Sequence, residues 1–152
     1  MYTLLHLLSL SASCIEGWSQ NDMTCYKLFN KTRVTWKTAQ YKCAKISQNA
    51  KLAVVKSETV NNFIGQLGHE GEFEHFNKHG LWLGGRQAPG SEEPAGGWTW
   101  VNPIGTGTSI SDEGYTNWGL SDPDNRSKDP NRAMVTTGAD CLIMVGGHDV
   151  RM

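Results

Sequence analysis

Nothing in this chain is long and apolar enough to span a bilayer as a helix. Such a span needs about 20 apolar residues, and the most apolar segment, Leu4–Leu10, is only seven residues long and includes His6 and Ser9. An excess of charge of one sign is also missing. Fourteen Lys and Arg against fifteen Asp and Glu leave a net −1, so no global field draws the chain to nucleic acid or to an acidic membrane surface. Cysteine is sparse. Cys14, Cys25, Cys43 and Cys141 contain no CxxC pair, which argues against a zinc site or a thioredoxin-like redox motif. There is no GxSxG, no phosphate-cradling glycine loop and no cysteine with an evident histidine partner, so enzyme readings lack support. Asp122 and Asp124 lie close enough for general acid–base work, but nothing marks them as desolvated. His75 and His79 are four apart in "HEGEFEHFNKH". That is not HExxH and no third ligand is spaced for it, so the segment reads as a solvated polar loop.

What is present fits one domain. A 152-residue chain can bury about 68–70% of its unfolded surface. With 38% hydrophobic and 19% charged residues it is neither a disordered tail nor a membrane bundle. Six Trp and seventeen Gly point to tight turns around aromatic plugs. Leu4–Leu10 ends in small residues, like the apolar region and cleavage site of a signal peptide, although no Lys or Arg precedes it. Residues 1–13 are therefore read as a signal peptide or the remnant of a longer upstream segment. Asn30-Lys31-Thr32 and Asn125-Arg126-Ser127 are N-glycosylation sequons. With the apolar leader they favour an oxidising, extracellular setting.

Local patterns predict the elements. "TCYKLF" at Thr24–Phe29 alternates and reads as a strand. Thr35 caps a helix that places Trp36, Ala39 and Cys43 on one face. "KLAVV" at Lys51–Val55 is a short buried strand. Ser57 caps a second helix, with Glu58 at its positive end and Val60, Phe63, Ile64 and Leu67 as the apolar stripe. "LWLGG" (Leu81–Gly85), "GWTWV" (Gly97–Val101) and "CLIMV" (Cys141–Val145) are further strands. Two early helices followed by strands make the class α+β. Between Asn102 and Asp140 almost nothing is periodic. A loop of that length is rare in a compact domain unless functional or disordered, and Tyr115 and Trp118 read as aromatics that pin it.

The segments "CIEGW", "CY" at Cys25, "TWKTAQYKC", "LAVV", "LWLGG", "WTWV", "NWGLSDPDN" and "ADCLIMV" occur in the order of a C-type lectin-like domain, which the chain resembles from about Cys14 to Val145. The resemblance implies two helices with small antiparallel sheets and a long ligand loop between Trp100 and Cys141. It implies that Cys14 and Cys25 form the additional N-terminal disulfide of the long-form domain. In that family the cysteines matching Cys43 and Cys141 pair with partners near the C-terminus. Those partners, a Trp-Asn-Asp triplet and the closing strand are absent after "GGHDVRM". Residues 14–152 are therefore expected to be one domain, incomplete at its C-terminus, with two titratable thiols after denaturation. The alternative is a natural short form with Cys43 bonded to Cys141.

The resemblance also implies a function: an extracellular carbohydrate-binding module using Ca2+, with a calcium-independent domain that recognises a protein or other surface as the alternative. Sugar-binding members carry Glu-Pro-Asn or Gln-Pro-Asp four residues after the loop tryptophan. Here Trp118 is followed at that register by Asp122-Pro123-Asp124. Calcium takes six to eight oxygen ligands. Asp122 and Asp124 are the expected carboxylate donors, Pro123 aiming both if its peptide bond is cis. Asn125 adds an amide oxygen, and Asp140 resembles a ligand of the family's neighbouring calcium site. Asp122, Asp124 and Asn125 are the expected carbohydrate-binding residues. Two features depart from the pattern. Ala139 stands where calcium binders usually have Glu. Two ionised carboxylates only accept hydrogen bonds, so neither the mannose-type nor the galactose-type code is met. Asn125 can supply a donor, but a glycan on its sequon would obstruct the site. Asp129-Pro130-Asn131 resembles the motif by residue type yet lies eleven residues after Trp118, and reads as a turn. The carbohydrate or glycoprotein ligand is unspecified by these residues, as is the oligomeric state.

Overall fold

The computed structural model describes residues 2–8, 13–71, 80–102, 105–118, 123 and 141–144. In chain order the elements are β1 (Tyr2–Leu8), β2 (Ser19–Asn21), β3 (Thr24–Phe29), α1 (Trp36–Ile46), β4 (Lys51–Leu52), α2 (Glu58–Glu70), β5 (Leu81–Gln87), β6 (Trp98–Asn102), β7 (Gly105–Ser109), a 3-10 turn (Ser111–Glu113) and β8 (Cys141–Met144).

The caps act as the sequence predicts. Thr35 Oγ1 accepts from Thr38 N at 3.2 Å, and Ser57 Oγ accepts from Val60 N at 3.3 Å. Each satisfies one of the donors a helix leaves open at its start. α1 buries Trp36, Ala39 and Cys43, the spacing of one helical face. α2 buries Ile64 fully and packs Val60, Phe63 and Leu67 partly against the core.

The described strands form one sheet ordered β2-β3-β1-β5-β6-β7, with β4 paired to β1 and β8 to β5. The α+β class stands, but the sheet is mixed rather than a set of small antiparallel ones. β1 runs antiparallel to β3, Thr3 opposite Phe29, and parallel to β5, Tyr2 opposite Leu81. The residues read as the apolar part of a leader thus form a strand at the centre of the sheet. Leu4 is fully buried, and its carbonyl accepts from Ala53 N at 3.0 Å. An apolar run satisfies either reading locally, and in the fold this one pairs with β3, β4 and β5.

Two apolar clusters hold the layers. One joins Leu4, Tyr26, Val55, Ile64, Leu83, Trp98, Trp100, Ile110 and Met144. The other gathers Trp36, Ala39, Cys43, Ala50 and Leu52, with Trp18, Trp82 and Cys141 at its margin. Trp36 Nε1 donates to Leu83 O at 2.7 Å, and Trp82 Nε1 to Val34 O at 2.9 Å. Both rings are therefore wedges with their polar edge satisfied. In "LWLGG", Gly84 lets β5 meet the preceding segment. Gly84 N bonds Ala53 O at 2.8 Å, and a Cβ there would lie 3.1 Å from Leu52 O.

Candidate ligand-binding loop

The first part of the long loop is built onto the core. Residues 105–109, Gly-Thr-Gly-Thr-Ser, carry no apolar alternation, so the sequence pattern misses the strand. β7 is held instead by backbone pairing to β6, Thr99 opposite Ser109 and Trp100 opposite Thr108. Ile110 then buries its side chain in the core, and its N–H reaches Trp98 O at 3.0 Å. The usable signal was a lone apolar residue between Ile104 and Tyr115.

Past Ile110 the chain makes one 3-10 turn and leaves it at Gly114, φ 75°, a conformation glycine adopts without strain. Glu113 Oε1 accepts from Lys56 Nζ at 2.7 Å. That ammonium holds the Glu113 carboxyl below its usual range. The pair is solvent-facing, where water and salt screen the attraction, so it orients the turn more than it stabilises it. Tyr115 and Trp118 pack against the first cluster. Burial raises the Tyr115 pKa, with the charge of Glu58 adding to the effect. The Trp118 ring lies 5.4 Å from that of Trp98 at 59°, a tilted pair of the kind aromatic quadrupoles favour. Trp118 is half-buried, packed on the core as its position implied.

The chain returns at β8, antiparallel to β5, with Cys141 opposite Arg86. On the other side of β5, Gln87 is opposite Trp98, the residue Trp118 leans on. The flanking residues Trp118 and Cys141 are therefore both tied to the end of β5 that holds Arg86 and Gln87, Trp118 through Trp98 and Cys141 directly. This is the geometric basis of the candidate site. Asp122 is four residues from one anchor, a reach of at most about 14 Å, and Asp140 directly precedes the other. Pro123, between the two aspartates, is half-buried.

Asp122, Asp124, Asn125 and Asp140 lie outside the described residues, as do Ala139, His75, His79 and the Asp129–Asn131 turn. The cis geometry envisaged for Pro123 involves Asp122 and lies outside them too. Among the described residues, no group of three His, Cys, Asp or Glu side chains could hold a metal ion. The donor set named by the sequence consists of oxygens, which is the chemistry Ca2+ takes. The sequon residue Asn30 is half-buried, and its Nδ2 donates to Gly71 O at 3.0 Å, so the atom a glycan would modify already ties β3 to the end of α2.

Cys14 and Cys25 form a disulfide, Cα–Cα 5.7 Å. Cys43 and Cys141 are thiols. Burial pushes the Cys43 thiol up to about 12, and the thiolate is the reactive form. Cys43 is therefore expected to resist a thiol-specific disulfide reagent near neutral pH in the native protein and to react fully in denaturant. Rapid native labelling at Cys43, located by peptide mass spectrometry, would contradict this burial.

The model of the family described as "Lectin C-type domain" matches residues 32–142, from just before α1 to the second residue of β8. The chain belongs to this family. C-type lectin domains are binding proteins rather than enzymes. Among similar proteins is the C-type lectin lectoxin-Lio1 of Erythrolamprus poecilogyrus, 30% identical over 127 residues, covering 80% of this chain and 68% of the relative. Another is Snaclec A1 of Macrovipera lebetinus, 28% identical over 120 residues, covering 76% of this chain and 70% of that one. No solved structure matches the chain. The lectin-domain match takes in the loop anchors Trp98 and Trp118 and the returning Cys141. No described helix is long and apolar enough to cross a membrane.

Proposed function

We propose that the chain is an extracellular carbohydrate-binding module whose ligand surface is the loop between Trp118 and Cys141, with Asp122, Asp124 and Asn125 contacting sugar and Asp122, Asp124 and Asp140 as carboxylate ligands for Ca2+. The observation that carries this reading is the anchoring of the two residues that flank the loop, Trp118 against Trp98, the residue opposite Gln87, and Cys141 opposite Arg86. A rigid base of this kind lets a long loop hold a defined surface. Bound Ca2+ would supply a hard positive centre for sugar hydroxyls. The chain's own part is to set carboxylates around it and to orient hydroxyls by accepting their protons. The Cys14–Cys25 disulfide supports an oxidising compartment.

A second reading has a specific basis. Asp122 and Asp124 put two acceptors where a sugar site needs acceptor and donor, and Ala139 removes a carboxylate. These favour a calcium-independent loop that binds a protein surface. Titration with Ca2+ to millimolar level, followed by tryptophan emission, separates the two. Under the first reading the emission shifts saturably because Trp118 is near the ligands, the Asp122→Asn/Asp124→Asn variant loses that shift, and mixed monosaccharide resin retains the protein until a chelator is added. No shift and no retention would overturn it in favour of the second.

A further inference from the structure

Charge in this chain is segregated in a way its net −1 conceals. From Met23 to Ser57 there are eight of the fourteen Lys and Arg and none of the fifteen Asp and Glu. The segment carries +8 and the rest of the chain −9. α1 lies within it. Its buried residues are Trp36, Ala39 and Cys43. On the opposite side Lys37, Tyr41 and Lys45 follow at four-residue spacing, one stripe with successive side chains about 5–6 Å apart. All three are exposed, and Tyr41 retains 63% of its accessible surface. The Lys45 ammonium sits 5.3 Å from the centre of the Tyr41 ring, within cation–π range. Lys42 flanks the stripe, and Lys31 and Arg33 are exposed just before the helix.

A merely solvated helix face interleaves both signs and forms pairs three or four residues apart. This face does not. Its first turn has no acidic residue, and Lys42 and Lys45, three apart, repel each other. Among the described residues, no carboxylate pairs with Lys31, Lys37, Lys42 or Lys45. Among the described residues, the one ion pair made by a lysine of this segment is Lys56 with Glu113, away from α1. The like charges thus remain available to an anion.

We infer that the exposed face of α1 binds a sulfated polysaccharide. Ammonium groups one and two turns apart match anionic groups repeating along a linear chain. The flat Tyr41 ring between them carries the Lys45 ammonium over one face and, being largely exposed, offers its remaining surface to a pyranose ring, which an acidic peptide does not present. Lysine, a point charge rather than a planar fork, suits sulfate oxygens arriving from varied directions. This surface is separate from the loop, needs no Ca2+, and does not rest on the function proposed above.

The test uses the purified full chain and heparin, in a chelator to silence any calcium site, across a series of NaCl concentrations. Binding is expected at low ionic strength, weakening steeply with salt, because counterions released from a polyanion drive association. The Lys37→Gln/Lys42→Gln/Lys45→Gln variant is expected to lose roughly 30-fold or more in affinity at about 50 mM salt. The slope of log affinity against log salt should fall by about one per lysine removed. Tyr41→Ser should weaken binding with the slope unchanged, and Lys56→Gln should bind like the parent. If circular dichroism shows the triple variant misfolded, Lys42→Gln alone is read for a slope loss of about one. Failure of the parent to bind heparin, or unaltered binding by the lysine variants, would overturn the proposal. So would equal affinity for desulfated heparin, for poly-glutamate or for a single-stranded oligonucleotide of matched charge.

Discussion

Replacing Trp36 with alanine is expected to destabilise the domain by about 3–5 kcal/mol, a large share of the roughly 5–15 kcal/mol that holds a domain folded. Trp36 is 5% exposed and central to the cluster of Ala39, Cys43, Ala50 and Leu52. Truncation would empty an indole-sized volume between α1 and β5, and close-packed neighbours relax only in part. It would also remove the 2.7 Å bond from Nε1 to Leu83 O and the ring beneath Arg86, whose guanidinium lies 5.8 Å from its centre. Trp36→Phe separates these contributions. It keeps most of the packing and loses the donor, so a smaller loss of about 1–3 kcal/mol is expected. Urea unfolding followed by far-ultraviolet circular dichroism measures both. Equal midpoints for Trp36→Ala and the parent would mean that α1 does not dock through this ring.

Leu4→Ala is expected to cost about 2–5 kcal/mol, and Leu4→Asp to prevent folding, since an unpaired charge in the core is far more expensive than a cavity. Leu4 is fully buried, in a strand that bridges β3 and β5. The result also bears on the reading of residues 1–13 as a leader. A leader removed after export cannot contribute to the stability of what remains. Intact-mass measurement of the secreted protein, made beside the unfolding curves, identifies which segment is present. Unchanged midpoints in a protein that retains residues 2–8 would refute the buried position of β1.

Both predictions rest on contacts whose local signals were legible to different degrees. Thr35 and Ser57 announced their helices because capping is a short-range contest between a side chain and the next turn's N–H groups. The Trp36, Ala39 and Cys43 face was equally readable from its period, and so were the strands of "TCYKLF", "LWLGG", "WTWV" and "CLIMV". β7 was not readable. Gly105–Ser109 has no apolar alternation, and it is a strand because β6 offers it a backbone ladder. The cation–aromatic stripe on α1 was also passed over, because net charge averages over the whole chain while a ligand meets one face.

What the sequence by itself determined is the set of local elements, the family resemblance through ordered motifs, and the residue types available after Trp118. Those depend on neighbours within a few positions. Only the tertiary structure decided that Tyr2–Leu8 is a paired strand, that Trp118 leans on Trp98, and that Cys141 returns opposite Arg86, next to the Gln87 that pairs with Trp98. The physical reason is that pairing and burial join residues far apart in the chain. An apolar run or a lone tryptophan specifies that it must be covered, and the fold supplies what covers it.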